Sequence, residues 1–160
     1  MIRHATLSDL PRLLEVYAAA RAYMCRTGNP TQWGSNHPAP EILTEDIALK
    51  RLYVVEAPDG RVCGCFMLAP GPDDTYADIF DGAWGCDTPY GVLHRVASDG
   101  TQRGILRQCI AFASRQFRHL RIDTHEDNSV MQHVLEKNGF TKCGIIYLES
   151  GDPRLAYEKL

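Results

Sequence analysis

The N-terminal part of the chain carries apolar residues at helical spacing, interrupted by one break. After a short extended segment at Ile2–Ala5, apolar residues recur every three or four positions, which predicts a helix that ends at Gly28. These residues are Leu10, Leu13, Leu14, Tyr17 and Met24. Thr6 or Ser8 is placed to cap this helix. Residues 28–40 are too rich in Gly, Asn and Pro for regular structure, and a second helix is expected from Glu41 to about Lys50.

The rest of the chain alternates strand patterns with helix patterns. Residues 52–69 predict a hairpin around the turn at Pro58–Gly60. The long acidic and aromatic segment Pro70–Pro89 is expected to have a function or to carry short structure. Six further elements, strand, helix, strand, helix and two strands, are placed at 90–98, 104–116, 120–124, 128–138, 141–148 and 154–160. This order predicts an α+β domain with a mostly antiparallel sheet, one central parallel pair and about four helices.

Composition bounds the class of protein. A chain of 160 residues with 44% apolar and 23% charged residues fits one globular domain over residues 1–160. The net charge of −3 gives no overall reason to expect nucleic acid or an anionic membrane as a partner. The sequence has no apolar run of spanning length and no signal-peptide pattern, so we expect a cytoplasmic protein.

Cysteine and histidine patterns do not predict a metal site. The six cysteines lack metal-knuckle spacing, so buried, reduced thiols are the expected state. Cys63 and Cys65 lie two apart on a predicted strand, which places both on one face. Adjacent residues converge poorly on one ion, so the segment Thr124–Asp127, which contains His125, is interpreted as a turn that caps the next helix.

The segment Tyr90–Cys109 carries the strongest chemical signal. A strand runs into a glycine-containing turn that opens directly into a helix. The first amides of a helix lack intrahelical partners and lie at the positive end of its dipole, so this junction suits a phosphate, with Arg103 and Arg107 nearby. A plain strand-to-helix connection gives a similar pattern, and the residues alone leave both interpretations open.

This junction resembles the acetyl-CoA pyrophosphate loop of the GNAT N-acetyltransferases, whose pattern is Arg/Gln-x-x-Gly-x-Gly/Ala. The six positions here are Thr101, Gln102, Arg103, Gly104, Ile105 and Leu106, and only Gly104 matches fully. The opening residues 2–17 and the later segment 123–147 resemble further GNAT elements in the same order. The resemblance implies a GNAT-type sheet whose parallel pair is splayed.

The resemblance also implies acetyl-CoA as co-substrate, with its pantetheine arm between the strand at 90–98 and the strand at 120–124. The residues expected to bind it are Val96, Ala97, Ser98, Thr101, Gln102, Arg103, Gly104, Ile105, Leu106, Arg107 and Asn128. For Asn128, a plain helix N-cap is an equal alternative. Thr101 and Leu106 depart from the family pattern, which bears on cofactor affinity more than on the fold.

GNAT enzymes transfer acetyl by direct attack of the amine, so no covalent enzyme nucleophile is expected. His94 is the leading general base, because imidazole titrates near neutral pH and serotonin-type acetyltransferases place a strand histidine there. The alternative is a strand histidine satisfied by its neighbours. The family's usual tyrosine acid falls on Leu135, which leaves Tyr147 as the nearest candidate, with ring packing as the alternative.

The acceptor site is expected among aromatic and acidic residues in irregular segments. These are Tyr23, Trp33, Tyr76, Asp81 and Trp84, which suit a cationic amine or, alternatively, anchor their loops to the core. The sequence therefore favours acetyl transfer from acetyl-CoA to a small-molecule primary amine. A non-catalytic CoA-binding or interaction domain and a protein N-acetyltransferase remain as alternatives. The expected partners are the amine and, as a candidate, a second copy of the chain, but neither nucleic acid nor membrane.

Overall fold

The computed structural model describes all 160 residues and arranges them around one seven-stranded sheet. The strands are β1 (Ile2–His4), β2 (Leu52–Glu56), β3 (Val62–Pro70), β4 (Gly91–Ser98), β5 (Leu120–Thr124), β6 (Thr141–Tyr147) and β7 (Pro153–Lys159). The helices are α1 (Leu10–Arg26), α2 (Pro40–Ala48), α3 (Ile105–Gln116) and α4 (Ser129–Lys137). The sheet order is β1-β2-β3-β4-β5-β7-β6. None of the helices is both long and apolar enough to cross a bilayer.

The parallel pair at the centre of the sheet is splayed. All neighbouring strands are antiparallel except β4 and β5. These two strands pair only at Gly91 with Leu120 and at Val92 with Arg121, and they separate beyond those residues. The predicted fold class is confirmed, including the four helices and the single parallel pair.

A bulge in β4 shifts the alternation of its side chains next to the splay. Against β3, the pair Cys65–Ala97 is followed by Met67–His94, so β4 carries one extra residue at this point. Arg95 takes a positive φ of 52° there. The hydroxyl of Tyr17 donates to the Arg95 carbonyl at 2.8 Å, which ties the bulge to α1.

The Arg95 side chain also ties the bulge to α2 through an ion pair. Its guanidinium lies 2.8 Å from a carboxylate oxygen of Asp46, whose side chain is fully buried in α2. Arg51 binds the second oxygen of the same carboxylate at 2.6 Å. A buried carboxylate needs such partners, so α2 fixes the path of β4.

The two faces of the sheet are covered by different helices. On one face, Leu13, Val16 and Tyr17 of α1 and Leu43 of α2 pack on β2 and β3. On the other face, α3 and α4 bury a second apolar cluster that includes Ile105, Cys109 and Leu135. Helical spacing of apolar residues thus gives each helix its buried stripe.

The prediction that Cys63 and Cys65 share a face of β3 is wrong. Val55 pairs with Gly64 and Glu56 with Val62, so Cys63 is the extra residue of a bulge and the side-chain alternation shifts. Cys63 therefore packs on the α3 face and Cys65 on the α1 face. All six cysteines are free thiols.

The long segment between β3 and β4 does carry short structure. A single 3₁₀ turn spans Asp74–Tyr76, and Phe80 forms an isolated bridge with Ile145 of β6. At the N-terminus, Thr6 caps a 3₁₀ turn at Leu7–Asp9 that precedes α1, rather than α1 itself. The bridge at Phe80 and a hydrogen bond from Tyr76 to Asp123 tie the acidic loop to β6 and β5.

Candidate active site

His94 lies between two carboxylates at the splayed end of β4. Its Nε2 atom is 2.8 Å from an Asp73 carboxylate oxygen, and its Nδ1 atom is 3.8 Å from an Asp123 carboxylate oxygen. Asp73 comes from the loop after β3, and Asp123 comes from β5. The imidazole is therefore held by one carboxylate and faces a second one beyond hydrogen-bond distance.

Asp73 determines which nitrogen of His94 carries the proton. Burial alone raises the pKa of Asp73, but hydrogen bonds from His94 and from the amide and hydroxyl of Thr75 outweigh it, so the pKa lies well below its ordinary value. An ionised carboxylate only accepts hydrogen bonds, so Nε2 is the donor. Neutral His94 then presents an unprotonated Nδ1 toward Asp123.

Tyr76 contacts both Asp123 and His94. Its hydroxyl donates to Asp123 at 2.7 Å, and its ring centroid lies 5.9 Å from that of His94. Burial, followed by the charge of Asp123, raises the pKa of Tyr76 well above its ordinary value. Tyr76 is 1% exposed, so it fixes Asp123 instead of forming an exposed wall for substrate.

A cavity of about 460 Å³ opens beside His94, within the size range of small-ligand sites. Its lining mixes polar and apolar residues and carries charges of both signs. The lining residues that bear charge or a titratable ring are His37, Asp73, His94, Arg95, Asp123, Asp152 and Arg154. Trp33 also lines it, with its ring 5.6 Å from Tyr17, whereas Tyr76 does not.

A second, mainly apolar cleft of about 190 Å³ adjoins this cavity. It is lined by Ala20, Tyr23, Met24, Thr27, Val96, Ala97, Ser98, Ile105, Leu106, Asn128, Val130, Met131 and Val134. Met24, Val96 and Met131 line both spaces. The two spaces therefore lie next to each other in the splay, one reaching Ile105 and Leu106 at the start of α3 and the other reaching His94; together they are called the passage.

The turn before α3 is anchored by Asp99 and offers free backbone donors. One Asp99 oxygen accepts from the amide and hydroxyl of Thr101, and the other binds Arg12 of α1. Gly104 caps α3 with a φ of 72°, and the first helical bond runs from Gln108 to its carbonyl. The amides of residues 102–107 donate no hydrogen bond, so they are available to an anion.

Asn128 caps α4 and ties a loop to it. Its Oδ1 accepts from the Met131 amide at 3.0 Å, and its Nδ2 donates to Gln32 at 3.1 Å. The same Gln32 oxygen accepts from Asn29 at 2.8 Å. Asn128 is thus the N-cap of α4. It also lines the cleft, so a role in cofactor binding stays a proposal.

A family model described as an acetyltransferase (GNAT) domain matches residues 1–141. The chain belongs to the GNAT acetyltransferase family. Among solved structures, a GNAT-family acetyltransferase from Streptococcus agalactiae is 29% identical with a TM-score of 0.90, over 100% of this chain and 94% of that chain. No curated protein sequence matches the chain.

More distant structures share the GNAT fold. The ribosomal-protein-alanine N-acetyltransferase from Brucella melitensis is 21% identical with a TM-score of 0.67, over 100% of this chain and 99% of that chain. The NatB acetyltransferase complex bound to CoA and MES gives 13% identity and a TM-score of 0.69, over 100% of this chain and 98% of that chain. At these identities the likeness concerns the fold alone.

Several residues that the sequence suggested for the GNAT site lie elsewhere. Tyr147 is 46% exposed on β6 and packs edge-on against Phe80, away from His94 and the cavity lining. Asp81 is exposed in the loop, and Trp84 donates to the Tyr76 carbonyl at 2.9 Å. Neither residue lines the cavity. Trp84 instead anchors its loop, which was the alternative role for this residue.

The remaining suggested residues divide between the two spaces. Tyr23 is 47% exposed and lines the apolar cleft instead of the acceptor cavity. Thr101 has both its amide and its hydroxyl bonded to Asp99, so neither donor is free. Leu106 packs against the core while lining the cleft, which leaves its amide at the start of α3.

No local sequence signal assigns a role to several residues that lie near His94 or line the same cavity. In the sequence, Asp73 is one of several acidic residues in the segment Pro70–Pro89, and Asp123 is one polar residue in the short strand at 120–124. Arg154 lines the cavity from β7, and its only signal was a positive charge within an apolar strand pattern. Each of these residues reaches the site through contacts between segments distant in sequence.

Proposed function

We propose that this chain transfers acetyl from acetyl-CoA to the primary amine of a small molecule by direct attack. The observation that carries the proposal is the passage through the β4–β5 splay. It consists of the apolar cleft, which reaches the free amides at the start of α3, and the adjoining cavity, which is lined by His94. A thioester at the junction near Val96 and Met131 would meet an amine that enters from the polar side.

The acetyl-CoA side of the passage fits the parts of that molecule. The free amides of residues 102–107 and the dipole of α3 suit the pyrophosphate. Arg103 and Arg107 are exposed nearby and add positive charge. The apolar cleft beyond them suits the pantetheine arm, with the β4 backbone at Val96–Ser98 along one side.

His94 supports amine deprotonation. Its Nδ1 lies 3.8 Å from a carboxylate oxygen of Asp123, both residues line the cavity, and Nδ1 is unprotonated when the ring is neutral. An ammonium bound between these groups gives one proton to Nδ1, and the free amine then attacks the acetyl carbonyl carbon. The new C–N bond forms, the C–S bond breaks, and the departing thiolate takes up the second proton that the attacking nitrogen must lose. A thiol has an ordinary pKa of about 8.5, so the thiolate is a competent leaving group without a dedicated acid.

The size and chemistry of the cavity favour a small acceptor over a folded protein. It is a recess of about 460 Å³ whose charged groups converge on one region beside His94. Asp73 and Asp123 provide negative charge for an ammonium group at that position. A peptide terminus remains a second candidate, because the cavity opens to the surface through exposed residues such as Thr31 and Asp152.

Calorimetric titration with acetyl-CoA and with CoA, followed by a thiol-release assay over a panel of amines, tests the proposal. We expect micromolar binding of acetyl-CoA and amine-dependent release of CoA. A folded protein that binds neither ligand at millimolar concentration would overturn the proposal and favour an interaction domain. Binding without release of CoA for any amine or peptide would leave a CoA-binding protein that is not a transferase.

A further inference from the structure

Arg154 is a buried cation without an ionic partner. It lies on β7 and is 7% exposed. Its guanidinium donates to the backbone carbonyls of Pro153 at 2.8 Å and Gln32 at 3.3 Å. No carboxylate oxygen lies within 4.0 Å of it. Because burial of an unpaired charge is unfavourable, such a group requires an explanation.

Arg121, which is buried, and Arg95, which is partly buried, have partners that compensate their charge. Arg95 is paired with the carboxylate of Asp46 at 2.8 Å. Arg121 lies between two aromatic rings, with its guanidinium carbon 4.0 Å and 4.1 Å from their centroids. Arg154 has neither kind of partner, and it lines the same cavity as His94. The partner missing for Arg154 is therefore expected to come from what the cavity binds.

The charges in this cavity are separated. Asp73 and Asp123 flank His94 in one part of the lining. Arg154 contributes its guanidinium from a different strand. Asp152 also belongs to the lining, but it is exposed, accepts from Ser150 and lies beyond 4.0 Å from the guanidinium.

The positive charges in the cavity lining also affect the pKa of His37. Burial, followed by the positive charges of Arg95 and Arg154, lowers the pKa of His37. His37 is thus favoured as a neutral hydrogen-bonding group in this lining, and Arg154 is left as the cation without a carboxylate partner.

We propose that the acceptor is an amino acid or a similarly small molecule that carries both an amine and a carboxylate. The carboxylate pairs with the guanidinium of Arg154, and the amine faces Nδ1 of His94. A planar guanidinium suits bidentate binding of a carboxylate, and the carboxylates beside His94 suit the ammonium end. This inference rests on the proposed acetyl transfer, and it makes Arg154 the residue that determines specificity.

Matched pairs of acceptors test the inference. We expect the wild-type protein to acetylate at least one common amino acid with a kcat/KM about 100-fold above that of its decarboxylated amine. Arg154→Met should lower kcat/KM for that amino acid by about 100-fold, mainly through KM, and leave the decarboxylated amine nearly unchanged. Arg154→Lys should recover part of the loss, and Arg118→Met, an exposed control, should change neither.

Two further measurements keep the outcomes separate. Calorimetry of Arg154→Met with acetyl-CoA should match the wild type, and circular dichroism should show a folded protein. If Arg154→Met does not fold, the preference of the wild-type protein within each matched pair decides. Equal rates within the pairs, or a preference for peptides with a blocked C-terminus, would overturn the carboxylate inference while acetyl transfer stands. Absence of acetyl-CoA binding would instead overturn the transferase proposal, and amino-acid binding by calorimetry would then test the Arg154 contact alone.

Discussion

Nε2 of His94 and a carboxylate oxygen of Asp73 lie 2.8 Å apart, and this contact orients the imidazole. Because Asp73 is ionised, the contact fixes the proton on Nε2 and leaves Nδ1 for the acceptor amine. Asp73 belongs to an irregular loop, but Thr75 and the 3₁₀ turn that follows hold its carboxylate in place. The contact thus makes a loop residue a positioning residue for a group on β4.

Replacement of His94 by Ala should slow turnover more at neutral pH than near pH ~9. Loss of a positioned general base costs about 100-fold where the amine is mostly protonated, and less where free amine is abundant. Steady-state rates of CoA release across this pH range provide the measurement. His133→Ala, an exposed histidine on α4, is the matched control and should behave as the wild type. An equal loss at every pH would contradict the role of His94 as a base.

Replacement of Asp73 by Asn should lower kcat by about tenfold or more and leave acetyl-CoA binding unchanged, because Asn no longer stabilises the charged imidazole. The pKa of Asp73 lies well below its ordinary value, so its carboxylate remains ionised throughout the neutral range. Protonation of Asp73 should therefore cause no change in the ratio of wild-type to variant rates as the pH falls from about 8 to about 6. Asp74→Asn, the exposed neighbour, should have no effect on either parameter. Unchanged kcat in Asp73→Asn would remove the positioning role.

Replacement of Gly64 by Ala should destabilise the protein by about 1–3 kcal/mol through overpacking. An added Cβ would lie 2.7 Å from Cγ2 of Ile105 and 3.1 Å from the Ala97 carbonyl oxygen. Ile105 is the first residue of α3, so the shift should also weaken acetyl-CoA binding. Chemical denaturation and calorimetry measure the two effects.

A double-mutant cycle checks the cause of this destabilisation. In the Gly64→Ala background, Ile105→Ala removes the methyl group that the new Cβ would contact. The two substitutions together should therefore destabilise the protein less than the sum of their separate effects. Additive effects would show that the contact with Ile105 is not responsible.

Replacement of Asp9 by Asn should remove a pH-dependent contribution to folding. Hydrogen bonds from Arg3, which binds both carboxylate oxygens, lower the pKa of Asp9 from 3.8 to about 2 despite partial burial. A lowered acid pKa stabilises the fold above the unfolded value, and the contribution disappears as pH falls through the folded value. We expect a loss of about 1 kcal/mol at neutral pH, since Arg3 is one-third exposed and solvent screens the pair.

Denaturation curves at a series of pH values measure this effect. The difference in free energy of unfolding between wild type and Asp9→Asn should be full above pH ~4 and should vanish near pH ~2. Asp78→Asn, an exposed aspartate without hydrogen-bond partners, is the control and should show no such change. A difference that persists unchanged at the lowest pH would exclude ionisation of Asp9 as the cause.

The order of the elements was predictable because the signals for them are local. The turn at Pro58–Gly60, the φ of 90° at Gly139 and the apolar stripes of the helices all follow from short stretches of sequence. The two bulges were not predictable, since strand alternation assumes an uninterrupted ladder. The bulge at Cys63 reversed the face of one cysteine, and the bulge at Arg95 was not foreseen.

The candidate site was only partly predictable because its contacts join distant segments. His94 was identified from its residue type and its strand, but its partner Asp73 is 21 residues away in the chain. Tyr76 and Asp123 are 47 residues apart, so nothing local shows that the ring is buried beneath the site. An aromatic residue in a loop has the same sequence signature whether it faces a ligand or packs inward, which explains why Tyr76 and Trp84 were assigned to the acceptor pocket.

The splay between β4 and β5 has a consequence for how the protein unfolds. Only two residue pairs join these strands, so the sheet consists of a four-stranded half and a three-stranded half with a narrow seam between them. A molecule held in the passage contacts both halves at once. Substrate occupancy should therefore raise the cooperativity between the halves and slow hydrogen exchange on either side of the seam. The opening proposed as the substrate site is also where the fewest residue pairs join neighbouring strands of the sheet.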